Sequence, residues 1–306
     1  MIEYYFKKKN EKEFTKLNEY SKRCWINVTN PTNEEINFLI EKFKLSKDNL
    51  IDGLDIHENP RFEIEDKKIY IYLTTPTEKI LSEYDSSFLI IYSRELFMTF
   101  SKYSLEIIDK LLSIKRETTD FSFSRQLLKM LFILSRMFEL SVRKIIRETK
   151  KNKKDLNKLT NKDIAKLIQE EDKLNEYVSS FEAIIQTYNR ILREKTINFF
   201  KKDAEIIEDL IIDLNETLSL CKSTIKSISN MRGYYSTKLS NDLNKKVTLL
   251  TIFTIFLTIP TLVAGVYGMN IILPMQNYPN ILVVLGFLVL GIWILMFSIL
   301  KMFKII

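Results

Sequence analysis

The stretch that decides the architecture is "KKVTLLTIFTIFLTIPTLVAGVYGMN", Lys245–Asn270. After two lysines it runs from Val247 to Tyr267 without a charge, then turns through Gly268, Met269 and Asn270. As a helix, residues 247–267 rise about 31 Å, which matches the hydrocarbon core of a bilayer. A second uncharged run, Ile281–Leu300, rises about 30 Å. The segment between them, "NIILPMQNYPN", is also uncharged. Two such runs in succession argue for membrane spans over the buried core helices of a soluble domain. Lys245 and Lys246 flank the first and Lys301 and Lys304 the second, and such positive flanks belong on the cytosolic side. The sequence therefore predicts two spans in contact with lipid of the cytoplasmic membrane, both termini in the cytosol, and the Gly-Met-Asn turn outside.

The first span is patterned. Thr254, Thr258, Thr261, Gly265 and Gly268 recur at spacings of 4, 3, 4 and 3, one stripe of a helix. Continued backwards, the stripe takes in Leu250, Val247 and Asn244. The other faces carry Ile252, Phe253, Ile255, Phe256, Leu257 and Ile259. A stripe of this kind has two readings. One is close helix packing, because Gly and Thr let backbones approach. The other is a narrow pore lined by hydroxyls, with several copies around an axis. The pattern alone leaves both open.

Upstream, residues 77–259 contain no proline and one glycine, Gly233. Such a stretch predicts helix from about Ser122 onward. Ile211, Leu214, Leu218, Cys221, Ile225, Ile228, Arg232, Tyr235 and Leu239 alternate at 3 and 4 spacings. That is a heptad seam with a charged interruption at Arg232, and Cys221 reads as a small core residue within it. No turn separates the seam from Val247, so stalk and first span form one continuous helix. The seam calls for self-association along it. Ser122–Thr149 and Lys162–Lys195 read as two amphipathic helices, an antiparallel hairpin beside the stalk, joined by a lysine-rich loop at 150–161.

The first 110 residues differ. "RCWINVT" (23–29), "FEIEDKKIYIYLTTP" (62–76), "SFLIIYS" (87–93) and "LFMTF" (96–100) are β-branched and aromatic runs. The second folds as strand, turn and strand about Asp66-Lys67-Lys68. "NPTNEEINFLIEKFKL" (30–45) opens on a turn signal with Asn33 as cap and then shows helical periodicity. The fold class predicted is an α+β cytoplasmic domain with a helical hairpin and a long stalk helix, followed by two transmembrane helices. Its divisions are 1–115 for the α/β domain, 116–202 for the hairpin and 203–246 for the stalk. They continue as 247–267 for the first span, 268–280 for the external loop, 281–300 for the second span and 301–306 for a basic tail.

Composition narrows the function. Net charge is +7, with lysine clusters at Lys7-Lys8-Lys9 and Lys150-Lys151-Asn152-Lys153-Lys154. These read as solvated loops and positive-inside flanks, so no nucleic-acid partner is expected. "MIEYYFKKKNEKEF" lacks an apolar h-region, which predicts no cleaved signal peptide. Two cysteines far apart in sequence, Cys24 and Cys221, form no disulfide or metal framework. A single histidine, His57, excludes a His-rich soft-metal site and reads as a surface residue. There is no phosphate loop, G-x-G-x-x-G, nucleophile elbow or paired catalytic carboxylate, so the chain is not read as an enzyme.

At this point a resemblance enters. Tyr267-Gly268-Met269-Asn270 at the outer end of the first of two C-terminal spans, with Asn244 at its base, resembles the signature of the CorA family of magnesium transporters. Independently, Trp25-Ile26-Asn27-Val28, "EEINFLIEKFKL" and "GLDIHENPRFEIEDKKIYIYL" are similar to that family's cytoplasmic domain. The likeness covers nearly the whole chain, most loosely in the helical middle. It implies a homopentameric divalent cation channel whose first spans ring the pore, which favours the pore reading of the stripe.

On that resemblance, Gly268, Met269 and Asn270 form the selectivity filter. Asn244, Val247, Leu250, Thr254, Thr258, Thr261 and Gly265 line the pore, with Val247 and Leu250 as a dry constriction. Mg²⁺ dehydrates reluctantly, and neutral oxygens can hold its water shell without an anionic trap. Many relatives carry an acid shortly after the signature Asn, whereas Pro274-Met275-Gln276-Asn277 is neutral here. The resemblance also implies gating by cytosolic Mg²⁺ held by acids between subunits, with Asp209 in the stalk and Asp52 or its rival Asp55 as candidates. Competing functions are a related Co²⁺, Ni²⁺ or Zn²⁺ transporter and a membrane-tethered coiled-coil scaffold that conducts nothing.

Overall fold

The computed structural model describes residues 1–7, 13–76, 86–114, 122–153, 156, 159–197, 199–275 and 279–302. Lys8, Lys9, Lys154, Gln276, Asn277 and Lys304, which the sequence reading invoked, lie outside them, as does most of the basic tail. The chain divides into two compact units, Met1–Arg232 and Gly233–Ile306.

The first unit is built on one seven-stranded sheet. Its strands are β1 (Ile2–Phe6), β2 (Thr15–Leu17), β3 (Trp25–Thr29), β4 (Arg61–Glu65), β5 (Lys68–Thr75), β6 (Ser86–Tyr92) and β7 (Phe97–Ser101). They lie in the order β2-β1-β3-β7-β6-β5-β4. β3 and β7 pair in parallel and every other neighbouring pair is antiparallel. β4 and β5 are joined by Asp66 and Lys67, which have φ of 48° and 62° with Glu65 opposite Lys68. Two consecutive left-handed residues make the type I′ turn that matches strand twist, so the strand–turn–strand reading holds.

Side chains of the central strands alternate between two cores. Ile69, Ile71, Leu73, Phe88, Ile90 and Phe97 face one, while Tyr70, Tyr72, Leu89, Ile91, Met98 and Phe100 face the other. Burial on both faces explains why these strands read as continuous apolar runs. The second core is closed by α1 (Asn33–Phe43) and α2 (Lys47–Asp52). Gly53, just past α2, is required there: a Cβ would come within 2.9 Å of Leu89 on β6. The N-cap of α1 is Thr32, not the expected Asn33. Its hydroxyl accepts from Glu35 N while the Glu35 carboxylate accepts from Thr32 N, a reciprocal capping box that Asn33 cannot form from inside the helix.

The first core is closed by α3 (Glu106–Ser113), α4 (Phe123–Lys153), α5 (Asn161–Arg193) and the N-terminal half of α6 (Lys201–Tyr267). α4 and α5 are antiparallel: Tyr188 donates to Leu131 O at 2.9 Å near one end, Phe138 packs on Tyr177 and Phe181, and Thr149 meets Glu170 near the other. The hairpin is therefore as expected, although α4 runs through Lys150, Lys151 and Lys153, which the sequence reading placed in a loop. Lys7 also differs from its solvated reading. It is buried, with its ammonium 5.7 Å from the Phe14 ring centre.

The stalk seam needs the largest correction. Residues buried along α6 are Ile207, Leu210, Leu214, Thr217, Cys221, Thr224, Ile228 and Met231. They pack into the same core as the hairpin, so the seam up to Met231 is satisfied within one chain and does not itself call for a second copy. Arg232 does not interrupt it. Its guanidinium is exposed and pairs with Glu171 on α5, and Lys222 reaches Glu182 on the same helix at 2.9 Å. Cys221 is a buried core residue as read, and burial pushes its thiol up to about 12.

The second unit contains the remainder of α6, through Tyr267, and α7 (Ile281–Met302). These are two helices long and apolar enough to cross a membrane, and none of their most apolar windows is buried within the chain. A core helix of a soluble protein would be covered.

Candidate ion pathway

Within the second unit, α6 presents two different faces. Ile252, Phe256, Ile259, Pro260, Val263 and Tyr267 are partly covered. Phe256 packs on Trp293 of α7, with ring centres 5.7 Å apart. Asn244, Val247, Leu250, Thr254, Thr258, Thr261, Gly265 and Gly268 are all exposed in the chain. At 100° per residue the centres of the two sets lie roughly 170° apart. The stripe identified in the sequence thus occupies the side of α6 turned away from α7. Among the described residues nothing covers it.

The threonines on this face are already committed as donors. Thr254, Thr258 and Thr261 each donate Oγ1–H to the carbonyl four residues earlier, those of Leu250, Thr254 and Leu257, at 2.8 Å. This leaves each hydroxyl oxygen as an acceptor. The water shell of a cation presents its hydrogens outward and needs acceptors, so the arrangement suits a hydrated cation and no bare anion. At Gly265 an added Cβ would meet nothing within 4 Å.

The stripe ends in the turn. Gly268 N donates to Ala264 O at 2.8 Å and Met269 N to Val266 O at 3.2 Å, closing the helix. A Cβ on Gly268 would press on Ala264 O at 3.1 Å. The Tyr267 hydroxyl donates to Pro274 O at 3.3 Å, drawing the loop back over the end of its own helix. Met269 and Asn270 are exposed beyond it. No charged side chain lies among residues 247–300, so the whole face offers only neutral oxygens and apolar groups.

The candidate regulatory acids sit in the first unit. Asp52 ends α2, and Asp55 follows one turn later with its N–H on Asp52 O at 3.0 Å. Asp55 uses its carboxylate to accept from His57 N at 2.9 Å. Asp209 is exposed on α6. Asp52 is not a vacant carboxylate. Arg61 Nη2 pairs with it at 2.7 Å, while Nη1 of the same guanidinium pairs with Glu58 and Nε with Glu63, and its Cζ lies 3.8 Å from the Tyr72 ring centre. Burial opposes the Arg61 charge, but these carboxylates hold it firmly protonated. Among the described residues no group of three or more His, Cys, Asp or Glu is arranged to hold a metal within one chain.

The sequence reading overlooked Arg61, which pairs with Asp52 from nine residues further on in a strand, a spacing that carries no periodic signal.

Comparison with known proteins bears on this geometry. The family model described as "CorA-like Mg2+ transporter protein" matches residues 20–301. The chain is 23% identical over 301 residues to the cobalt/magnesium transport protein CorA of Methanocaldococcus jannaschii, covering 92% of this chain and 89% of that protein. The complete structure of the CorA magnesium transporter from that organism aligns with a TM-score of 0.84 at 21% identity, covering 98% and 97% of the two chains. The cytoplasmic domain of ZntB from Vibrio parahaemolyticus aligns with a TM-score of 0.65 at 10% identity, covering 78% of this chain and 98% of that one. At such identities the structural likenesses speak for the fold alone. The family match does more, because it runs from just before β3 through both apolar helices and the turn between them: the chain belongs to the family of CorA-like Mg²⁺ transporters.

Proposed function

We propose that this chain is one subunit of a homopentameric channel of the cytoplasmic membrane that passes hydrated Mg²⁺ into the cytosol. In it, Gly268, Met269 and Asn270 form the selective mouth. Asn244, Val247, Leu250, Thr254, Thr258, Thr261 and Gly265 line the bore. The observation that carries this reading is the division of α6 into a face packed on α7 and an opposite, exposed face that carries Thr254, Thr258, Thr261, Gly265 and Gly268. Neutral acceptors suit Mg²⁺, which keeps several waters and surrenders them slowly. A ring of fixed carboxylates would hold the ion too long, whereas dipoles let it leave. Both termini lie in the cytosol on this reading, in line with the lysines that flank the spans. Cytosolic Mg²⁺ closes the channel through Asp209 of one subunit and Asp52 or Asp55 of the next.

The test is ion flux into proteoliposomes, with Mg²⁺, Co²⁺, Ni²⁺ and Zn²⁺ presented separately to the intact protein and to Asn270→Ala. Loss of one mouth acceptor per subunit is expected to lower Mg²⁺ flux by at least about tenfold, the equivalent of about 1.4 kcal/mol. A protein that carries no divalent ion, or an Asn270→Ala variant with undiminished flux, overturns the reading. Preference for Zn²⁺ over Mg²⁺ would reassign the cargo and leave the pathway in place.

A further inference from the structure

Pro260 stands inside α6 and has no N–H. The carbonyl four residues earlier, that of Phe256, is therefore deprived of its helical donor. In a bilayer no water replaces it, and an unsatisfied carbonyl at that depth is costly. Nearby hydroxyls do not fill the gap, since Thr254, Thr258 and Thr261 donate to other carbonyls. The donor comes from the other span: Trp293 Nε1 on α7 donates to Phe256 O at 3.1 Å, and its ring packs against Phe256 at 51°. From this contact towards the turn, an open groove of about 490 Å³ lies between the two helices. Pro260, Ala264 and Gly268 line it from α6, and Leu282, Gly286 and Val289 from α7. The outer part of the pathway helix, which carries Thr261, Gly265 and the Gly-Met-Asn turn, follows the Trp293 contact directly.

The geometry points to Trp293 as a positioning residue of the channel: its indole N–H, by replacing the donor that Pro260 lacks, fixes where the outer part of the pathway helix sits. The role is exerted through α6, because Trp293 is not on the face that carries the stripe. It rests on the channel reading for its consequence in flux, while the hydrogen bond itself does not.

A double-substitution cycle tests it. Trp293→Phe keeps an aromatic ring and removes the donor. Pro260→Ala restores an N–H four residues after Phe256. In the Pro260 background, Trp293→Phe is expected to lower Mg²⁺ flux in proteoliposomes on the order of tenfold, the scale of one buried hydrogen bond. In the Pro260→Ala background the same change is expected to alter flux by less than about twofold, because Phe256 O then keeps a helical partner. Equal losses in both backgrounds, or no loss in the first, overturn the proposal. The melting temperature of the detergent-purified protein, read through the same cycle, judges the bond independently of transport. If the parent protein passes no ion, the channel reading fails, whereas a cycle in melting temperature without coupling sinks the Trp293 assignment. Should Trp293→Phe fail to assemble, 3-benzothienylalanine at position 293 removes only the N–H and serves the same cycle.

Discussion

Glu170 on α5 is buried beside the carboxylate of Glu148 on α4. Burial first, and then the neighbouring Glu148, push its carboxyl up to about 7. Lys166 pairs with Glu148 and lies 3.9 Å from Glu170, while Thr149 donates to Glu170 Oε2 at 3.4 Å. Glu148 is held below its usual range by Lys166, so the proton of the pair resides on the buried partner. The folded chain thus binds a proton that an unfolded Glu170 releases from about 4.5 upward. Its stabilising contribution is complete below that value and is lost as pH rises through about 7. Glu170→Gln mimics the protonated side chain at every pH. It is expected to raise the melting temperature at pH 8.5 by about 2–4 °C and to leave it nearly unchanged at pH 5. An equal shift at both pH values would show that the amide acts through packing and that the shared proton is not the cause.

At the scale of elements, the seam on α6 separates what periodicity can tell from what it cannot. The sequence pattern contained Leu214, Cys221 and Ile228, which are buried, but it joined them through Ile211, Leu218 and Ile225. Those three are half-buried against the same core, and the bundle buries Thr217 and Thr224 beside them, whose hydroxyls donate to Asp213 O and Leu220 O and so turn their methyl groups inward. A threonine that bonds its own helix behaves as a core residue, and a hydropathy pattern passes over it. Leu214→Ala is accordingly expected to destabilise the protein by about 2–5 kcal/mol, and Ile212→Ala, with its side chain in solvent, by less than about 0.5 kcal/mol. Thermal unfolding in detergent, read beside oligomeric state, checks both. Loss of association without loss of thermal stability in Leu214→Ala would return the seam to a role between copies. The central strands were legible because both faces of the sheet are buried and their residues are apolar without interruption. β1 and β2 were not: β1 is only partly covered along its length, β2 spans three residues at the sheet edge, and the lysine run beside them masks the pattern. The stripe on the first span was legible as a periodicity. Which way it faces depends on where α7 packs, and no spacing within α6 carries that information.

At the scale of the whole molecule, the proposed closure by cytosolic Mg²⁺ rests on three acids. Asp52 ends α2, Asp55 follows one turn later and Asp209 is exposed on α6, and among the described residues they form no metal-holding group within one chain. A site between copies is the arrangement in which they could share an ion. In the isolated chain Asp52 is engaged by Arg61, so a Mg²⁺ ion approaching it must compete with a guanidinium that three carboxylates and the Tyr72 ring hold in place. Removing that competitor should tighten the site. Arg61→Met is expected to lower the Mg²⁺ concentration that protects the intact protein from protease by on the order of tenfold, about 1.4 kcal/mol of relieved charge repulsion. Asp52, Asp55 and Asp209 changed together to Asn should abolish the protection and leave flux at low cytosolic Mg²⁺ intact, because none of the three lies among the residues of the pathway. Protease protection and current measured across a Mg²⁺ titration decide the matter. If the triple variant keeps the parent's dependence, these acids are surface charges and the ion acts elsewhere. If Arg61→Met weakens protection while the triple variant abolishes it, Arg61 is a member of the regulatory site and Asp52 reaches the ion with its partner attached.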